Sequence, residues 1–363
     1  MKIAFLTTTL DETVGWGRYA AGFLAEARRR NGIENVIAPN PARLRSTEIR
    51  WKQPFLALLD AFVLWREVKD CDVLHAAIEP AAPLAYFLSL LTGKPFVVSV
   101  CGTFADLDSY SKPVRWLYRR AFRSADRMAI LSRYTLRVFE RGVQDAKTTI
   151  VYGGFVPPAH APKKTGISAE RRILAVGAVK PRKGFHTLLE ALGRLKREGF
   201  AFKADCVGPK DASRYTEQLD KRLVELGLED HVTFHGRVSE DALNRFYADA
   251  DLFVLPSEHS GTAFEGLGLV YLEAMAYGVP VIGCLDSGAE DVIRDGENGR
   301  LVPPGNVETL AETIRQMLVD EAQWKKMSEA APGSIDRFRW ESVGADMNDA
   351  YKAAIKERAC ESA

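Results

Sequence analysis

Apolar residues fall in short, unbroken runs along the first part of the chain: Ile3-Ala4-Phe5-Leu6, Asp72-Val73-Leu74-His75, Phe96-Val97-Val98-Ser99-Val100, Arg127-Met128-Ala129-Ile130-Leu131 and Thr149-Ile150-Val151. Helical patterns separate them. Continuous rather than alternating apolar runs mark strands buried on both faces, as in a parallel α/β sheet. The cycle stops at Gly153 to Ser168, where three prolines, three glycines and two adjacent lysines give a linker composition. A second cycle follows, with strands predicted at Arg172 to Val176, Ala201 to Val207, Val232 to His235, Leu252 to Leu255, Val281 to Gly283 and Gly299 to Val302. Two successive α/β cycles imply two Rossmann-like domains facing an interdomain cleft, with boundaries expected at 1–160 and 161–339.

The most informative departure from plain patterning is Phe264-Glu265-Gly266-Leu267-Gly268-Leu269-Val270-Tyr271-Leu272-Glu273-Ala274-Met275-Ala276-Tyr277-Gly278-Val279-Pro280. Its first part is too glycine-rich for a helix interior. Leu269 to Tyr277 is apolar with good helix formers, and Gly278 and Pro280 then stop it. Glu265 is therefore placed just before a helix N-terminus, and Glu273 about two turns inside. The N-terminus supplies free N–H groups and partial positive charge, an anion site. A helix that is apolar nearly all round is buried, so the carboxylate of Glu273 needs donors, which sugar or ribose hydroxyls would provide. Either glutamate taken alone also fits a capping or solvent-facing role.

The second domain opens with Val176-Gly177-Ala178-Val179-Lys180-Pro181-Arg182-Lys183-Gly184, a strand running into a glycine turn, three cations, and a helix beginning near His186. This suits a diphosphate: Lys183 and Lys180 as point charges, Arg182 as a forked donor, and a helix start close by. A solvated basic loop is the plainer alternative. Val14-Gly15-Trp16-Gly17-Arg18-Tyr19-Ala20 is a glycine-rich segment after the first strand, where close backbone approach to phosphates needs glycine. As G-x-G-x-x-A it also imitates a dinucleotide fingerprint, but it starts too far beyond the strand, and no suitably placed acidic residue follows.

Glu265 and Glu273, with seven residues between them, resemble the E-x7-E signature of retaining glycosyltransferases with the GT-B fold, in particular glycosyltransferase family 4. The resemblance implies that Glu265 faces the donor sugar, that Glu273 holds the ribose hydroxyls, and that the amides of Gly266, Leu267, Gly268 and Leu269 face pyrophosphate and sugar. It makes Lys183 the diphosphate lysine, places Gly15, Trp16 and Gly17 by the donor phosphates, and brings Gly236, Arg237 and Val238 to the nucleotide base through backbone groups. It puts Cys101, Gly102 and Thr103 beside the sugar, with Cys101 where many members carry histidine, and Ala178 where they carry arginine. It also implies that a last helix, about 340–363, packs back on the first domain. His75, which ends its strand, is more simply structural than catalytic.

The expected activity is transfer of a hexose-type sugar from a nucleotide-diphosphate donor to a glycan, lipid-linked or small-molecule acceptor, with Glu265 and Lys183 as the catalytic pair. The alternatives are a GT-B phosphorylase or epimerase, a non-catalytic nucleotide-sugar-binding protein, and a nicotinamide oxidoreductase. No cofactor or metal is expected.

Composition changes this picture little. In 363 residues, 47% are hydrophobic and 27% charged, with a net charge of +1. That is an ordinary globular balance with no pull toward nucleic acid. Five scattered cysteines without a CxxC pair support neither a disulfide framework nor a zinc site and fit a reducing cytoplasm. The chain opens on a strand rather than a secretory leader, and its longest apolar stretch, Ala81 to Leu91, is far short of a membrane span. The expected location is cytoplasmic, extending to the inner face of the plasma membrane. A helix at 112–127 is the reason: six cations interleave with Trp116, Tyr118 and Phe122, a basic amphipathic pattern suited to anionic lipid or, more plainly, to a surface helix packing its aromatics inward.

Overall fold

The structure is a computed structural model, which describes residues 1–11, 15–40, 53–102, 107, 110–158, 161–162 and 164–361. In chain order the elements begin β1 (Lys2–Leu6), α1 (Gly15–Arg29), β2 (Asn35–Ile37), α2 (Gln53–Val68), β3 (Val73–Ala76), α3 (Ala82–Thr92), β4 (Phe96–Val100), α4 (Lys112–Ser124), β5 (Arg127–Ile130), α5 (Arg133–Gly142) and β6 (Thr148–Ile150). They continue with β7 (Arg172–Val176), α6 (Phe185–Arg197), β8 (Lys203–Val207), α7 (Arg214–Glu225), β9 (Val232–Gly236), α8 (Glu240–Asp249), β10 (Leu252–Val254), α9 (Leu269–Ala276), β11 (Val281–Cys284), α10 (Ala289–Val292), β12 (Gly299–Val302), α11 (Val307–Val319), α12 (Glu321–Ala330) and α13 (Trp340–Glu361). Packing divides the chain into two compact units, Met1–Phe155 with Phe338–Ala363, and Val156–Arg337.

Each unit is built on one six-stranded sheet, ordered β2-β1-β3-β4-β5-β6 in the first and β12-β11-β10-β7-β8-β9 in the second, and every strand pair is parallel. The second order is that of dinucleotide-binding sheets. In both, the direction of winding reverses once, between β1 and β3 in the first unit and between β7 and β10 in the second. Ligands of open α/β sheets bind outside the carboxyl ends of the strands at such a reversal. Each unit is thus a parallel, open α/β sheet covered by helices.

In the first unit, α1 and α13 pack together over the sheet, and Tyr19, Phe23, Trp340, Val343, Met347 and Tyr351 belong to one buried core. Trp340 makes glycine obligatory at two places: a Cβ on Gly22 would lie 2.4 Å, and one on Gly154 2.3 Å, from its indole. Arg358 near the end of α13 forks onto Asp126 at 2.9 and 2.7 Å. On the other side of the fold α2 packs against α3, and α3 against α4. In the second unit the side chains of Ser213, Ser239, Asn306 and Asp320 accept backbone N–H groups at the starts of α7, α8, α11 and α12, which satisfies donors that the helix itself leaves open.

Three expectations are corrected. Strand β2 was not anticipated; with only Asn35–Ile37 it is too short to form an apolar run, and pairing with β1 creates it. The basic helix ends at Ser124, not at 127. Ala125 is extended, and Arg127 opens β5, where it pairs with Glu357 of α13 instead of joining the helix cations. Gly15 and Gly17 are not a loop, because they begin α1. Gly17 answers a chain contact, since its Cβ would fall 2.0 Å from the backbone oxygen of Asp11.

Candidate active site

The second unit gathers its charged chemistry at the sheet's reversal point. β7 leads through Gly177 to a 3-10 turn, Pro181–Lys183, and then to α6. Gly184, with φ 69°, joins turn to helix; a Cβ there would fall 1.8 Å from the carbonyl oxygen of Pro256, beyond β10. Only glycine adopts this conformation freely and also admits that approach. The close contact brings the loop after β7 onto the loop after β10.

The two loops meet at Glu265. Lys183 Nζ donates to Glu265 Oε2, Ser257 Oγ donates to the same oxygen at 3.2 Å, and Arg182 Nη1 reaches it at 3.4 Å. Lys183 and Glu265 are each only 8% exposed, so neither charge has water as its main partner. Burial pushes the Glu265 carboxyl upward, but Lys183 and Arg182 outweigh it and hold the group below its ordinary value. Burial lowers the Lys183 ammonium, and Glu265 opposes that shift. Each group thus offsets the burial cost of the other's charge. The backbone oxygen of Glu265 accepts from Gly288 N–H at 2.8 Å, tying in the loop after β11.

From Gly268, with φ 84°, α9 runs to Ala276 and is stopped by Gly278 at φ 71°. Tyr271, Leu272, Ala274 and Met275 are buried, and Glu273 is half-buried. Glu273 Oε2 accepts the hydroxyl hydrogen of Tyr247, from α8, at 2.6 Å. Gly266 and Leu269 are partly exposed while Leu267 and Gly268 are buried. Lys180 is exposed and lies outside the Glu265 cluster. At the end of β9, Gly236 has φ 67°, its carbonyl accepts from Gly208 N–H at 2.8 Å, and Arg237 is exposed beside half-buried Val238.

Ser257, Tyr247 and Glu258 were missed by sequence reasoning. Glu258 accepts from Thr187 and lies 3.4 Å from His186 at the start of α6. For Ser257 a signal existed, since it stands three residues past β10 at the reversal point. Tyr247 carries none, because only the fold brings α8 to α9.

In the first unit, Trp16 is partly exposed on the first turn of α1. Cys101 and Gly102 follow β4, and Thr103 lies outside the described residues. Burial, with Glu79 nearby, pushes the Cys101 thiol well above its ordinary value. His75 is fully buried between Ser99 Oγ at 2.9 Å and Tyr351 OH at 2.8 Å, and burial lowers it to about 3. It is a neutral strut between β3, β4 and α13.

Comparison with known proteins agrees with this architecture. The model of Glycosyltransferase Family 4 matches residues 17–157, and that of Glycosyl transferases group 1 matches residues 159–333. Among curated relatives, a GDP-mannose-dependent alpha-(1-6)-phosphatidylinositol monomannoside mannosyltransferase of Mycobacterium tuberculosis is 32% identical over 192 residues, 52% of this chain and 49% of the relative. Its counterpart in Mycolicibacterium smegmatis is 28% identical over 244 residues, 64% of this chain and 63% of the relative. The match thus spans about half to under two thirds of these relatives' length. Among solved structures, Anabaena HepE in complex with UDP and glucose has a TM-score of 0.75 at 20% identity, covering 97% of this chain and 100% of that one. Sucrose-phosphate synthase of Thermosynechococcus elongatus has a TM-score of 0.77 at 22% identity, covering 97% and 98%. With adjoining family models across both units, and the Glu265–Glu273 segment opening α9 at the carboxyl side of its sheet, the chain belongs to the glycosyltransferases of family 4, on a GT-B fold.

Proposed function

We propose that this chain is a retaining glycosyltransferase that moves a hexose-type sugar from a nucleotide-diphosphate donor to a glycan, lipid-linked or small-molecule acceptor. The observation that carries the reading is the convergence of Lys183, Arg182, Ser257 and Glu265 at the reversal point of the second sheet. A diphosphate there meets two cations on one loop, and a sugar meets a carboxylate on the next. Lys183 stabilises the charge that grows on the departing diphosphate, and Arg182 supports it, with Lys180 within the same loop. Glu265 orients sugar hydroxyls, and Glu273, itself held by Tyr247, accepts from the ribose. By the family resemblance, the amides from Gly266 to Leu269 serve the pyrophosphate and Gly236 to Val238 the base. Cys101 to Thr103 belong to the sugar side. In the front-face course that the family resemblance carries, the anomeric bond to the diphosphate breaks, the acceptor oxygen bonds on the same face, and a leaving phosphate oxygen takes the acceptor proton.

The test is a thermal-shift panel of nucleotide sugars, GDP-mannose and UDP-glucose first, followed by nucleoside diphosphate release in wild type and Lys183→Ala. A ligand that binds only the native state raises the melting temperature by mass action. No stabilisation and no turnover with any donor sinks the proposal.

A lipid surface is the partner that a second observation favours. On α4, Trp116 is 68% exposed and Lys112, Arg120 and Arg123 are exposed, while Tyr118 and Phe122 are buried. On the neighbouring helices, Phe55, Phe62 and Val63 of α2 and Leu90 of α3 are also exposed. Aromatic and aliphatic side chains beside several cations suit the headgroup region of an anionic bilayer. No helix among the described residues is long and apolar enough to cross a membrane.

A further inference from the structure

Glu79 opens the 3-10 turn that follows β3, Glu79–Ala81, and is 1% exposed. Its Oε1 accepts the amide hydrogens of Cys101 at 2.8 Å and Gly102 at 2.9 Å, the two residues that leave β4. Its Oε2 is buried and has no hydrogen-bond partner among the described residues. β3 and β4 are neighbours, and β3 borders the sheet's reversal point, so this carboxyl sits where a ligand of the first unit's sheet would bind. Gly102 itself has φ 124°, a conformation that side-chain-bearing residues rarely adopt.

The chemistry is unusual because a neutral amide would do the same structural work. Glutamine in place of Glu79 would offer the same oxygen to the same two N–H groups and bury no ionisable acid, though its amide nitrogen would lie where Oε2 has no partner among the described residues. Burial instead pushes the Glu79 carboxyl from 4.5 up to about 7, against the opposing effect of its own backbone N–H and of the Gly102 and Cys101 amides. Among the described residues, the groups around it carry no charge to match. His75 on β3 is held neutral, Tyr19 on α1 and Cys101 after β4 are pushed upward by burial, and α3 contains no charged residue. An acid raised in this way is best accommodated below its unfolded value, and its contribution to stability falls as pH climbs toward 7. Local choices that oppose stability concentrate where function requires them.

We infer that Glu79 is a positioning residue for the transfer reaction: its carboxylate sets the Cys101–Gly102 turn through two charge-assisted amide hydrogen bonds, and the turn requires the charge as well as the shape. The inference rests on the glycosyl-transfer reading above. Ionised, the group makes bonds roughly twice as strong as a neutral acceptor would, so the turn is firmer above neutral pH than below it.

The experiment is Glu79→Gln, compared with wild type from pH 4.5 to 8.5. Melting temperature is one readout, and nucleoside diphosphate release from GDP-mannose and from UDP-glucose is the other. The melting temperature of the variant relative to wild type should rise as pH climbs from about 4.5 to 8, because only the wild-type carboxyl titrates across that range. Its kcat at pH 8 should nevertheless fall about tenfold while the donor KM stays near wild type, and the rate increase of wild type around pH 7 should be missing. A Glu79 that is only structural gives the same melting trend in a variant that is equally active with the wild-type pH profile, and that result overturns the assignment. If the variant does not fold, a wild-type rate that is flat between pH 6 and pH 8 overturns it instead. Release from no nucleotide sugar of the panel at any pH overturns the glycosyl-transfer reading, and this assignment with it. Release with coincident profiles overturns this assignment alone.

Discussion

At the carboxyl ends of β7 and β10 the second unit collects charged groups and pairs them, whereas at the ends of β3 and β4 the first unit collects titratable groups and holds most of them neutral. Lys183 and Glu265 are buried as an ion pair with Arg182 and Ser257 in attendance. His75, Cys101, Tyr19 and Tyr351 are shifted by burial toward their uncharged forms. The sheets share parallel strands and a single reversal, so topology does not account for the contrast. Under the proposed function ligand chemistry would: a diphosphate calls for fixed positive charge, and hydroxyls call for shape and dipoles. Glu79 stands out in the first unit because, at about 7, it alone of these groups keeps its charge within reach of neutral pH.

The hardest test of the contrast is Lys183→Ala. If the second unit carries the electrostatic work, turnover should fall by roughly 2–4 kcal/mol of transition-state stabilisation, about 30- to 1,000-fold in nucleoside diphosphate release. The same change strands Glu265 in a buried site with only Arg182 and Ser257, so stability should drop by several kcal/mol in denaturant melts. A pH arm sharpens it. Glu265 is held below its ordinary value, so its contribution is present above about pH 4.5 and is lost as pH falls through its folded value. The acid-side loss of stability should therefore be smaller in Lys183→Ala than in wild type. Turnover unchanged at matched folding would remove Lys183 from the mechanism.

Next in size is the outer helical face of the first unit. Arg120→Glu with Arg123→Glu should weaken sedimentation with anionic liposomes by about 2 kcal/mol at low salt, near 1 kcal/mol for each cation displaced, and the difference should shrink at high salt. Binding that the pair leaves unchanged, or that is absent in wild type, returns α4 to an ordinary surface helix. A smaller effect is expected for Tyr247→Phe, which removes the hydroxyl donated to Glu273. Donor affinity should fall by about 1.5 kcal/mol, the usual worth of a hydrogen bond to a charged group. Isothermal titration with the nucleotide that stabilises the chain reads it directly, and an unchanged affinity would mean that Glu273 needs no support.

The patterns that were legible in the sequence are those in which local chemistry and fold agree. Leu269 to Tyr277 reads as a buried helix because its apolar residues face every direction, and α9 ends within one residue of that reading. Gly184 and Gly268 mark the sharp joints where loops meet helices, and both have positive φ. What was hidden is what tertiary contact creates. β2 exists because β1 offers it an edge. Arg127 counted as a helix cation until Ala125 turned the chain into β5. Nothing in Glu79-Pro80 announces that its carboxyl will meet the amides of Cys101 and Gly102, because that meeting depends on β3 and β4 lying side by side. Tyr247 is silent for the same reason.

The smallest effect is expected at Cys101, and it separates side chain from backbone in the first unit. The thiol is pushed well above its ordinary value, so it is not a thiolate at neutral pH and offers neither a nucleophile nor a base. What the position contributes is its N–H, which Glu79 holds at 2.8 Å, and serine keeps that N–H. Cys101→Ser should therefore retain at least about a tenth of the activity, a change of under about 1.4 kcal/mol. Cys101→His should be tolerated in the same assay, since the side chain at this half-buried position is not what Glu79 grips. Proline at the same position is the informative extreme, because it deletes the N–H while leaving the thiol's absence no worse than serine does. If Cys101→Ser abolishes nucleoside diphosphate release while the variant stays folded, the thiol itself takes part, and the view of the first unit as a set of neutral, shape-giving groups fails at its most exposed point.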